Sequence, residues 1–152
     1  MDSKKFNFSV LVALMLGLTA CSSDSDKDDD GGGGGSETVY QDVTVIDGYI
    51  RGATAFVDLN NNNQLDAGEP SIVTEAGGKG QIDITDLDVG DSTIVVHIGA
   101  GAVDESTITS ETPNGVAFTS EQAFQLVALP GESTATPLTT LAWMHGKQTG
   151  DF

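Results

Sequence analysis

Between Glu37 and Pro130 glycine, asparagine, aspartate or proline interrupts the chain before any apolar stretch is regular enough to make a long amphipathic helix. That punctuation confines this part of the chain to short strands. Val39, Val43 and Val45 with Ile46 mark a first strand, and Tyr49 with Ile50 a second. Ala53, Ala55, Val57 and Leu59 share one face of the next. Ile72 with Val73 follows, then Gly77 to Gly80 as a hairpin turn, then the alternating Gln81 to Ile84. Thr93 to Ile98 is β-branched and nearly all apolar, which predicts a central strand. Thr107 with Ile108, Val116 to Phe118 and Ala123 to Leu129 supply later strands. Strands spaced about 8–12 residues apart predict an all-β domain, an antiparallel β-sandwich over residues 37–132, large enough to bury its own core.

One insertion between these strands carries chemistry. Asp58-Leu59-Asn60-Asn61-Asn62-Asn63-Gln64-Leu65-Asp66-Ala67-Gly68-Glu69 is a stretch of twelve residues with side-chain oxygens at positions 1, 3, 5, 9 and 12. Calcium takes about 6–8 hard oxygen ligands around one point, and an EF-hand-type loop supplies them at this spacing. Asp58, Asn60 and Asn62 alternate, so a curled backbone aims all three inward. Gln64 offers its backbone carbonyl, Asp66 binds directly or through water, and Glu69 closes the set with both oxygens. Leu65 stands where such loops place an apolar residue that pins them to a core. Asn63 occupies position 6, where an EF-hand has glycine; asparagine tolerates the left-handed conformation better than most residues. Only three of the five side-chain ligands are charged, which predicts a weak, structural Ca²⁺ site, with Kd of ~10⁻⁴–10⁻³ M. The competing reading is an Asn-rich turn, for which Glu69 has no use.

The beginning of the chain is built differently. Lys4 and Lys5 precede an apolar run from Phe6 to Leu18, shorter than the ~20 residues a membrane span needs. With the small residues after it, residues 1–20 read as a secretory signal peptide. Leu18-Thr19-Ala20-Cys21 resembles the lipobox of bacterial lipoproteins. That resemblance implies that Cys21 is the lipidated first residue of the mature chain and holds it to a membrane. It is the sole cysteine, so no intramolecular disulfide competes for it. In such lipoproteins Asp after the cysteine retains the protein at the inner membrane, so Ser22 implies the outer membrane of the cell envelope. Residues 21–36 carry five aspartates, then Gly31 to Gly35. Nothing there buries apolar area, and a flexible tether with a mean reach of about 20–24 Å is expected.

Asp47-Gly48-Tyr49-Ile50, Gly52-Ala53, Phe56-Val57-Asp58-Leu59-Asn60 and Asp66-Ala67-Gly68-Glu69-Pro70, with the glycine-rich turn that follows, resemble the prealbumin-like modules of bacterial surface proteins, the SdrD B-like and Cna B-like repeats. The likeness spans about Asp47 to Ile84. It implies a calcium-stiffened sandwich used as a stalk or binding module, without catalysis. Some Cna B-like modules form a Lys–Asn isopeptide bond from an early strand; Lys79, the only lysine of this domain, lies in the turn, so no isopeptide is expected.

Residues 133–152 change character. Thr136 and Pro137 read as N-cap and first position of a helix that Gly146 stops. This helix either docks on the edge of the sandwich or, as Pro137-Leu138-Thr139-Thr140-Leu141 resembles in longer members of the group, opens a larger helical region in a truncated or very short member. Catalytic signals are absent: there is no Gly-x-Ser-x-Gly, no His-Glu-x-x-His and no phosphate loop. His97 reads as structural, and a carboxylate pair such as Asp104 with Glu105 could flank a sugar, but nothing in the sequence places it in a cleft. The 6 Lys+Arg against 23 Asp+Glu give −17; without residues 1–20, which hold Asp2, Lys4 and Lys5, the balance is 4 against 22, or −18. Such a surface repels nucleic acid and attracts cations. The expected protein is a lipid-anchored surface module. Two alternatives remain open. One is an adhesin or glycan-binding module with a glycan or protein ligand near the loop, for which Tyr49 and Phe56 are the available aromatics. The other is the N-terminal part of a longer secreted enzyme or transport component.

Overall fold

The computed structural model describes residues 37–151. The expectations for residues 1–36, Cys21 among them, lie outside the described residues. The chain runs through β1 (Tyr40–Val45), β2 (Ile50–Arg51), β3 (Thr54–Asp58), β4 (Ser71–Val73), β5 (Lys79–Asp83), β6 (Thr93–Ile98), β7 (Val103–Asp104), β8 (Val116–Ala117), β9 (Phe124–Val127), β10 (Thr134–Ala135) and one helix, α1 (Pro137–Thr149). The fold is mostly β, with three sheets. One is antiparallel in the order β4-β3-β6-β9, a second is the small antiparallel group β2-β7-β8, and the third is β10-β1-β5. In the third, β5 is antiparallel to β1 and β10 parallel to it.

Alternation along the strands builds one core, mainly from two sheets, to which Ile50 of β2 adds from the small sheet. Val43 and Val45 of β1 and Ile82 of β5 meet Ala55 and Val57 of β3, Ile94, Val96 and Ile98 of β6, and Leu126 of β9. β6 is the central strand its composition predicts, flanked by β3 and β9. The opposite face of the four-stranded sheet is covered as well. Phe56, Val95 and Val127 point there and are sealed by Trp143 of α1. The helix therefore lies on a sheet face rather than at an edge. Hydroxyls fasten it: Thr140 Oγ1 accepts from Val127 N (2.8 Å), and Thr139 Oγ1 donates to Val127 O (2.7 Å). Its start is the one read from sequence, with Pro137 in the first turn and a reciprocal capping box between Thr136 and Thr139.

Four sequence expectations are corrected. Gly77 and Gly78 do not turn a hairpin, because β4 pairs with β3 and β5 with β1. The chain crosses between sheets there through a 3-10 turn, Ala76–Gly78. Gly78 has φ +65°, and a Cβ on it would overlap the carbonyl oxygen of Val45, so only glycine fits. Thr107 and Ile108 form no strand. Asp104 Oδ1 accepts from Ser106 N, and Thr107 Oγ1 donates to Asp104 O, local bonds that close a turn instead. Gly146 does not end α1; it is a buried interior position, and Gly150, at φ +77°, is the cap. Phe56 is not an exposed aromatic but is 1% exposed beneath α1.

Candidate metal centre

β3 delivers Asp58 into the loop as its last residue, fully buried. Its two oxygens draw the next turn of backbone inward: Oδ1 accepts from Asn62 N (3.1 Å) and Oδ2 from Asn63 N (2.7 Å). Asn60 Oδ1 also accepts from Asn62 N (3.1 Å), and Asn62 Oδ1 accepts from Gln64 N (2.7 Å). These are Asx-type turns, the local bonding that asparagine and aspartate favour. Asn61 and Asn63 take φ +59° and +60°, so asparagine at position 6 adopts the left-handed conformation that glycine has in an EF-hand.

The second half of the loop folds back onto the first. Asp66 Oδ2 accepts from Asn60 Nδ2 (2.8 Å) and Asn62 Nδ2 (2.6 Å). The Asn60 bond and then the Asn62 bond hold the Asp66 carboxyl below the usual carboxylate range. Glu69 staples both ends, accepting from Leu59 N at Oε1 and from Asp66 N at Oε2, each at 2.9 Å. Asp58, Asn60, Asn62, Asp66 and Glu69 thus form one connected group; Gln64 joins through its N–H. The donors meeting the three carboxylates are neutral backbone and amide groups. Each of the three carboxylates is therefore met by neutral dipoles rather than by a cationic side chain.

Leu65 does not pin the loop; it is 47% exposed. The loop is tied down by polar bonds instead: Gln125 Nε2 of β9 donates to Asn63 O (3.0 Å), and Val57 N to Pro70 O (3.1 Å). No sequence signal links Gln125 to Asn63, since register in the β-sheet decides that they meet. Among the described residues Asn63 Oδ1 is buried without a hydrogen-bond donor. Among the described residues no three His, Cys, Asp or Glu side chains are grouped for a metal. The convergent set here is mixed, with carboxylates interleaved by amides, which suits a hard cation that also takes carbonyl oxygens.

The other polar candidates have separate duties. Glu105 lies 3.7 Å from Arg51 Nε and accepts from Gly77 N (2.8 Å). Asp104 caps its turn, and His97 is exposed on β6. Comparisons with protein-family models, curated proteins and solved structures found no match.

Proposed function

We propose that this chain is a lipid-anchored surface module of the cell envelope, a stalk or binding module of prealbumin-like sandwich architecture, with a loop ordered by one structural calcium ion. The observation that carries the calcium reading is the convergence of Asp58, Asn60, Asn62, Asp66 and Glu69 through a single hydrogen-bonded group. Asn60 and Asn62 present amide N–H groups to Asp66. A calcium ion would replace those donors, the amides turning their oxygens inward; amide oxygen and nitrogen are close in shape, so the turn needs little space. The ion would draw the carboxylates together and stabilise the fold by binding only its folded state. Support for the sandwich comes from the core built mainly by two sheets.

The test is thermal unfolding of the detergent-solubilised chain in EDTA and in calcium. At a hundredfold excess over Kd, binding contributes about 2.7 kcal/mol, or roughly 10 °C in Tm for a domain of this size. An unchanged Tm would reduce the loop to an Asn-rich turn. For the anchor, Cys21→Ala is expected to move the protein from the membrane to the soluble fraction. Its retention with membranes would refute lipidation at Cys21.

A second reading, as the opening part of a longer secreted enzyme or transport component, is favoured by one observation. Leu138, Leu141 and Met144 of α1 are 75%, 64% and 55% exposed, an apolar stripe at helical spacing.

A further inference from the structure

α1 turns Trp143 and Gly146 toward the sheet and leaves Leu138, Leu141 and Met144 exposed on its outer side. Their spacing of three residues sets them in one stripe. Exposed apolar stripes mark contact with a protein or a membrane. Charge helps to choose between these. Residues 133–150, which include all of α1, hold no Asp or Glu in a chain that has 23, the longest acid-free stretch of the described residues. Lys147 is its one formally charged side chain, and the exposed His145 continues the stripe. A bilayer carrying anionic lipids repels the rest of this chain, whose net charge is −17, so the acid-free face is the one it can approach. The chain outside the described residues adds a second argument. Residues 21–36, which separate the proposed anchor Cys21 from Glu37, reach at most about 55 Å even when fully extended. Such a short link holds a domain over its membrane at about millimolar effective concentration, so a contact too weak to bind alone becomes populated. A second copy fits less well: three side chains fall short of the ~800 Å² per partner that a stable pair buries, and two acidic copies repel each other.

We propose that α1 docks on the phospholipid bilayer that holds the anchor, with Leu138, Leu141 and Met144 in the boundary between headgroups and acyl chains. Asp91 and Asp151 share a cavity with Trp143 and Lys147, which puts carboxylates beside the C-terminal half of the helix. Leu138 and Leu141, in the N-terminal half, therefore enter deepest. Docking fixes the orientation of the domain on the membrane, which the link alone leaves open. The inference rests on the anchor proposed above and is independent of calcium.

The test is quenching by bromine. The lipidated chain is reconstituted into vesicles of phosphatidylcholine with a minor share of phosphatidylglycerol, with and without bromine on the acyl chains. Leu141→Trp places a reporter in the stripe, and Ile108→Trp places one in the turn after β7, where Ile108 is 45% exposed. Wild type, with Trp143 as its only tryptophan, is the baseline. A helix in the boundary lies about 5–10 Å into it, so the added emission of Leu141→Trp is expected to shift to the blue and to fall at least ~2-fold in brominated vesicles. That of Ile108→Trp is expected to hold. Leu138→Gln with Met144→Gln, added to Leu141→Trp, is expected to restore the emission while Tm stays unchanged, because both side chains are exposed. No quenching at position 141, or equal quenching at 141 and 108, overturns the proposal. A blue shift at 141 that grows with protein concentration and ignores bromine assigns the stripe to a second copy and overturns it too. Mass spectrometry of the purified chain reports the anchor separately. If Cys21 carries no acyl chain, it is coupled to a lipid with a maleimide headgroup and the quenching is measured on that chain. An acylated chain without quenching sinks this inference alone, and quenching seen only in the coupled chain sinks the native anchor and keeps the docking face.

Discussion

Asp58→Ala is expected to abolish the calcium-dependent rise in Tm and to destabilise the protein in EDTA as well. The second effect follows from geometry. Asp58 is fully buried, and its two oxygens accept from Asn62 N and Asn63 N. Hydrogen bonds to a charged group contribute about 1.5–3 kcal/mol each, and a buried N–H left without its acceptor costs a further penalty. Removing a buried charge offsets part of this, so the expected loss in EDTA is about 2 kcal/mol. The first effect follows from the loop's order: without Asp58 the left-handed turn at Asn63 loses the bond that holds it, and Asn60 and Asn62 lose their common direction. Urea unfolding of wild type and variant, each with and without calcium, measures all four terms of the cycle. A calcium response that survives in Asp58→Ala would show that the ion binds elsewhere on this acidic chain.

Phe56→Ala is expected to be the most damaging single change, at about 3–5 kcal/mol, the usual cost of emptying a buried phenylalanine site. Phe56 is 1% exposed and packs with Val95, Val127 and Trp143 between the four-stranded sheet and α1. The void would open where helix meets sheet, so α1 should loosen along with the global loss. Two readouts separate these: Tm, expected to fall by roughly 12–20 °C, and Trp143 fluorescence, expected to shift to the red as water reaches the indole. A variant that loses little stability and keeps its tryptophan emission would mean that α1 does not depend on this contact.

The two residues differ in how far the sequence alone could place them. The place of Asp58 in the loop was legible because the bonding there is local: alternating Asp and Asn side chains bond to backbone two to five positions ahead, within the loop itself. The cap at Thr136 and Pro137 was legible for the same reason, as were the alternating faces of β3 and β6, since side-chain period follows directly from backbone geometry. Phe56 was misplaced because alternation says only that it faces away from Ala55 and Val57. It cannot say whether that second face meets water or another element. A helix some eighty residues later decides the matter.

The sequence by itself therefore determined a strand-rich domain, the oxygen-rich loop between two of its strands and the start of a terminal helix, all set by bonding and periodicity over a few residues. Only the tertiary structure decided that Gly77 and Gly78 carry the chain between sheets, that α1 buries the second face of the four-stranded sheet, and that Gln125 rather than Leu65 holds the loop. Each of these depends on which distant segments come into contact, and burial and register across the sheet, not local preference, determine that.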